Sequence, residues 1–153
     1  MVTLHQVSTE KLITVSAQQN IQEALQIMDQ YHIRHLPVSN SDNDIIGLVS
    51  DRDLLQYSAQ GKQCVADIMK TELITFDVKA DLKDVVESIV EHKISAVLVT
   101  RGNRIVGIVT TDDLLKLLLK YLYTAGEEAP TLLEEYIHLF KDYLLEVKNP
   151  NYV

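Results

Sequence analysis

The sequence is short of several things that would carry it outside ordinary globular chemistry. Its single cysteine, Cys64, has no partner for an intramolecular disulfide, which removes a disulfide-stapled scaffold and points to a reducing compartment. With Val65 and Ala66 beside it, that thiol reads as a small packed hydrophobe and not as a reactive group. Five glycines and three prolines in 153 residues are too few for a fibrous or low-complexity chain. No apolar run approaches the ~18 residues of a membrane span, and no basic-then-apolar signal follows Met1; the expectation is a cytoplasmic protein with no membrane partner. Basic residues are outnumbered, 14 against 22 acidic, for a formal net charge of -8. Gripping a phosphate backbone takes a concentrated basic surface, so nucleic acid is not expected as a partner. Catalytic patterns are missing as well: there is no Ser-His-Asp, Cys-His or glycine-rich phosphate-loop arrangement. His32 and His92 stand near the ends of matching helices without metal-ligand spacing, and His5 and His138 are isolated. Asp51 with Asp53, and Asp112 with Asp113, are too close along a helix to share a face. Neither an enzyme nor a metal site is expected.

What is present is enough apolar residue, 46%, for a real core, and a duplication. An offset of 61 lays Leu4 to Val38 over Val65 to Val99, and an offset of 60 lays Ile45-Ile46-Gly47-Leu48-Val49-Ser50 over Ile105-Val106-Gly107-Ile108-Val109-Thr110. Two repeats are expected to pack on each other, since an open solenoid needs about three or more.

Each repeat begins with an extended run, Leu12 to Val15 or Leu73 to Phe76. A capping-box-like Asn20-x-x-Glu23 or Asp81-x-x-Asp84 then opens a helix. Ile21, Ala24, Leu25 and Met28, and Leu82, Val85, Val86 and Ile89, recur at helical spacing and predict its core face. Two β-rich runs follow, Leu36 to Ser39 with Ile45 to Val49, and Ala96 to Thr100 with Ile105 to Val109; the turns between them predict hairpins. A second helix starts after Ser50 or Thr110. The fold class is α+β, a mixed α/β order of strand-helix-strand-strand-helix given twice. Residues 1–60 make the first repeat and 61–122 the second, linked around Gln60 to Gln63. A C-terminal amphipathic helix over 129–148 is predicted from Leu133, Ile137, Phe140, Leu144 and Val147; packing on its own domain and contact with a second chain are equally open for it. The apolar run Leu114 to Leu119 fits buried contact, within the chain or between subunits.

The sharpest motif is Gly47-x-x-Ser50-x-x-Asp53, repeated as Gly107-x-x-Thr110-x-x-Asp113, each at a strand end where a helix begins. Helix capping alone explains the hydroxyl and the carboxylate, at ~1 kcal/mol for the cap. It asks for no glycine upstream, and Gly47 and Gly107 therefore mark a close approach of backbone or ligand. A hydroxyl and a carboxylate side by side also suit the neighbouring hydroxyls of a ribose, and helix N-termini suit phosphate. Both readings stand on the residues alone.

Leu36-Pro37-Val38, Gly47-Leu48-Val49-Ser50-Asp51-Arg52-Asp53-Leu54, Gly107-Ile108-Val109-Thr110-Thr111-Asp112-Asp113-Leu114 and the opening Ala66-Asp67-Ile68-Met69 together resemble the signature of cystathionine β-synthase (CBS) domains, over about residues 4 to 120. The resemblance implies a tandem pair, a Bateman module, with up to two clefts for an adenosine-type small molecule such as AMP, ADP, ATP or S-adenosylmethionine, and with no cofactor required. It places Ser50 with Asp53, and Thr110 with Asp113, at the ribose. It places Thr14 and Thr75, and the stretches Ile33 to Pro37 and Ile94 to Val97, around the base; His35, Pro37, Ser95 and Val97 are the candidates within those stretches beside Ile33. It also implies a homodimer that modulates an effector protein, with a ligand-free dimerisation or interaction scaffold as the alternative. The repeats differ in charge: Arg52 aligns with Asp112, and Arg34 and His35 are set against Ile94 and Ser95. A phosphorylated ligand is accordingly expected at the first site, and a weak, empty or less anion-loving second one.

Overall fold

A computed structural model describes residues 4–58 and 64–124; the linker around 60–63 and the predicted helix 129–148 lie outside these. Within them the order is β1 (Val15–Ser16), α1 (Ile21–Tyr31), β2 (His35–Ser39), β3 (Ile45–Ser50), α2 (Asp51–Ser58), then β4 (Thr75–Asp77), α3 (Leu82–Glu91), β5 (Ala96–Arg101), β6 (Arg104–Thr110) and α4 (Thr111–Thr124). Each repeat has one three-stranded sheet, β1-β2-β3 or β4-β5-β6, whose first pair is parallel and whose second is an antiparallel hairpin.

The expected caps form with one difference. Asn20 Oδ1 accepts the Glu23 amide at 2.8 Å, whereas Asp81 Oδ1 accepts from Lys83, one residue earlier than the motif implies, at 3.0 Å. The buried face of α1 is Ile21, Ala24 and Met28, and that of α3 is Val85 and Ile89; each large aliphatic side chain so removed from water contributes about 1.5–3 kcal/mol. In the first hairpin, Asn40 Oδ1 takes the amides of Asp42 and Asp44, both at 2.9 Å, which closes a turn with Asn43 at φ 64°.

Strand register corrects one alignment. His35 stands opposite Ser50, and Ala96 opposite Thr110. His35 therefore corresponds to Ala96 and Arg34 to Ser95, not to Ser95 and Ile94. The offset of 61 still holds at the start of the second strand and falls to 60 only after the hairpin turn.

The core is exchanged between repeats. A single 3-10 turn, Leu4–Gln6, precedes β1, and Leu4 is fully buried against Val85, Val97, Val99 and Val109 of the second repeat. A matching turn, Val65–Asp67, precedes β4, and Val65 is fully buried with Val15, Leu36, Val49 and Leu54 of the first. Thr9 then trades two backbone hydrogen bonds with Ile108 of β6, at 3.0 and 3.1 Å, and Lys70 does the same with Leu48 of β3, at 3.0 and 2.9 Å. A third apolar cluster joins the repeats: Ala96, Leu98 and Ile108 pack with Leu12, Ile45, Leu48 and Leu73.

This exchange accounts for the motif glycines. A Cβ on Gly47 would stand 2.6 Å from Met69 Sδ, and one on Gly107 would stand 3.1 Å from the Thr9 carbonyl. What approaches closely at both is the incoming segment of the other repeat. Cys64 is partly buried and donates its thiol proton to the Ala17 carbonyl at 2.9 Å. Leu114 joins the core of the second repeat, while Leu115, Leu118 and Leu119 are exposed. No helix among the described residues is long and apolar enough to cross a membrane.

Candidate functional site

At the end of β3 the Ser50 hydroxyl donates to Asp53 Oδ2 at 2.7 Å and accepts the Asp53 amide at 3.2 Å. At the end of β6, Thr110 Oγ1 and the Thr110 amide both donate to Asp113 Oδ2, at 2.7 and 2.9 Å. Capping is therefore real in both repeats. In the first, the same Asp53 oxygen also faces Lys70 Nζ at 3.5 Å.

The first pair opens onto a cleft of about 370 Å³, within the range of about 300–1,000 Å³ usual for small-ligand sites. One wall is the first repeat's strand-to-helix junction, Ser50 to Asp53 with Arg34 and His35; the other comes from the second repeat, through Lys70, Leu73, Ile74 and the stretch Lys93 to Ala96. Of the sequence-derived candidates, this cleft gathers His35, Ser50, Arg52, Asp53 and Ser95. Thr14 and Thr75 are exposed, and Pro37 and Val97 are buried. Those four, together with Ile33, Thr110 and Asp113, are not part of its lining. Ile74, adjacent to Thr75, lines the cleft instead, because side chains alternate faces along an extended segment.

Lys70, Glu72, Ile74 and Lys93 were not singled out from the sequence. They carry no motif: Lys70, Glu72 and Ile74 reach Ser50 and Asp53 because the segment before β4 crosses to the first repeat, and Lys93 lies just past the end of α3.

The charges in the cleft are unevenly committed. Arg34 Nη2 binds Asp112 Oδ1 at 2.8 Å across the two repeats, and Lys70 faces Asp53. Arg52 and Lys93 form no ion pair among the described residues. His35 Nε2 shares a hydrogen bond of 2.8 Å with Ser95 Oγ, again between repeats. Burial lowers the pKa of His35 below its ordinary 6.5, and Arg34 adds to this, against the opposing pull of Asp51, Asp112 and Asp53. No cluster of three or more metal-ligating side chains occurs among the described residues.

The CBS domain family model matches residues 4–60 and again 65–120. The chain belongs to the CBS domain family. Among curated CBS relatives, the CBS domain-containing protein YhcV of Bacillus subtilis is 34% identical over 110 residues, 69% of this chain and 78% of that one. Other relatives are much longer: the chain spans 21% of the L-aspartate semialdehyde sulfurtransferase of Methanocaldococcus jannaschii, at 30% identity over 106 residues. Among solved structures, the CBS domain pair of protein MJ0100, in complex with 5′-methylthioadenosine and S-adenosyl-L-methionine, superposes with a TM-score of 0.72 at 27% identity, covering 77% of this chain and 96% of that one. An uncharacterised conserved protein from Pyrococcus horikoshii gives 0.71 at 30% identity, covering 76% and 91%. The mixed α/β architecture and the tandem CBS pair are thus shared with known structures.

Proposed function

We propose that this CBS pair is a regulatory module that binds a phosphorylated adenosine compound, AMP, ADP or ATP, in the cleft between its repeats. The observation that carries the reading is that Ser50 and Asp53, a hydroxyl and a carboxylate 2.7 Å apart, open onto a cleft whose far wall belongs to the other repeat. In this reading Asp53 and Ser50 hold the ribose hydroxyls and Ile74, Ile94 and Ala96 flank the base. The two uncommitted cations of the cleft favour a phosphate over the sulfonium of S-adenosylmethionine. The MJ0100 pair, bound to 5′-methylthioadenosine and S-adenosyl-L-methionine, supports an adenosine ligand in general. A ligand touching both walls favours the arrangement of repeats that fits it, and that bias is what an effector protein would sense. The module needs no cofactor and performs no catalysis; it acts as a homodimer in the cytoplasm, a pairing supported by the exposed Leu115, Leu118 and Leu119 on α4. Thr110 and Asp113 make the same capping pair but do not line this cleft, which favours the other reading there, a purely structural motif.

A thermal-shift titration tests the proposal. A nucleotide at about 100 times its Kd adds about 2.7 kcal/mol to the native state, roughly 5–10 °C in a chain of this size. AMP is expected to raise the melting temperature of the wild type and of Asp113→Ala, and to lose that effect in Asp53→Ala. An undiminished shift in Asp53→Ala would sink the assignment of the ribose site.

A further inference from the structure

The end of α3 is closed by a backbone turn that normally calls for glycine. The Ile94 amide donates to the Ile89 carbonyl at 3.2 Å and the Lys93 amide to the Val90 carbonyl at 3.3 Å. This paired pattern puts Lys93 at the first position past the helix cap, and its φ is 51°. Left-handed backbone there crowds any Cβ against the following carbonyl, which is why glycine is favoured and a long side chain is not. Among the described non-glycine residues only His32, Asn43 and Lys93 have positive φ. Asn43 lies in the hairpin turn, where asparagine tolerates this conformation. His32 closes α1 in the equivalent way but does not line the cleft. Lys93 does line it, together with Ile94 and Ser95 and in company with Arg52, and neither cation has an ion pair among the described residues.

We infer that Lys93 is the residue through which this cleft selects a phosphorylated ligand over an uncharged nucleoside, an assignment that rests on the adenosine-binding reading above. The backbone alone assigns no role, since His32 adopts the same conformation away from the cleft; what singles out Lys93 is that it lines the cleft with no ion pair among the described residues. Here the other charges are already occupied: Arg34 by Asp112 and Lys70 by Asp53. The acidic groups of the cleft, Asp51, Asp53 and Glu72, would repel a phosphate, and Lys93 and Arg52 offset them. A simpler role exists, since a cation just past a helix end also complements the helix dipole. That role affects stability alone and has no preference among ligands.

The test is calorimetric titration of the full chain with AMP and with adenosine at low ionic strength, for wild type, Lys93→Gly and Lys93→Met. Glycine relieves the backbone and removes the charge; methionine keeps the backbone crowding and removes only the charge. Both variants are expected to bind adenosine as the wild type does and AMP about tenfold more weakly, with Lys93→Gly melting no lower than the wild type. Unchanged AMP affinity, or equal losses for AMP and adenosine, overturns the role of Lys93 while leaving the adenosine site standing. A wild type that binds neither compound overturns the adenosine site itself, and the role of Lys93 with it.

Discussion

His35 is half-buried where the two repeats meet, and water is replaced on one side of its ring by the Ser95 hydroxyl at 2.8 Å. Burial disfavours the imidazolium, so the folded protein protonates this ring at lower pH than the unfolded chain does. Stability is therefore undiminished above the unfolded value of about 6.5 and falls as the pH drops through that value toward the lower folded one. His35→Asn has no such proton to take up. The stability lead of the wild type over His35→Asn should shrink between pH 7.5 and 5.5, as followed by thermal melts. A constant gap would show that His35 is not held neutral. At this scale the sequence reveals Ser50 and Asp53, because their three-residue spacing is itself the geometry of a helix start. It does not reveal Lys70 or Lys93, whose relevance depends on which repeat their backbone visits. Nor does it show that the Asp112 carboxylate, aligned with Arg52, is already held by Arg34.

Among the elements, hairpins and helix starts follow from periodicity and capping, and the structure reproduces them within a residue or two; of the predicted core faces, Val86 on α3 is the residue that turns out exposed. The strands before each first helix are the exception: only Val15–Ser16 and Thr75–Asp77 pair as strands, because each lies beside one neighbour only, at the parallel edge of its sheet. The motif glycines look alike in sequence and differ in what they accommodate. Gly47 makes room for the flexible Met69 side chain, and Gly107 for the backbone of Thr9. Gly47→Ala is expected to cost about 1–3 kcal/mol by overpacking, and considerably less when Met69→Ala has first cleared the space. Urea unfolding of the single and double variants would give the coupling. If the two costs simply add, Met69 is not what requires glycine at that position.

For the whole molecule, the duplication was legible but the exchange was not. Leu4 and Val65 occupy equivalent places, so an offset of 61 reads the same whether each residue closes its own repeat or the other one. Packing alone separates the two, and it places Leu4 in the second core and Val65 in the first. The residues from the first turn to Leu114 accordingly form one compact unit. Leu4→Ala should cost about 2–5 kcal/mol and leave a single cooperative transition for both repeats, measured by calorimetry; two resolved transitions would show that the repeats unfold independently. The crossing segments also direct mechanical force. Tension applied through a polypeptide upstream of Leu4 meets first the seat of Leu4 in the second core and then the Thr9–Ile108 bridge to β6, so it loads the far repeat before it stretches the near one.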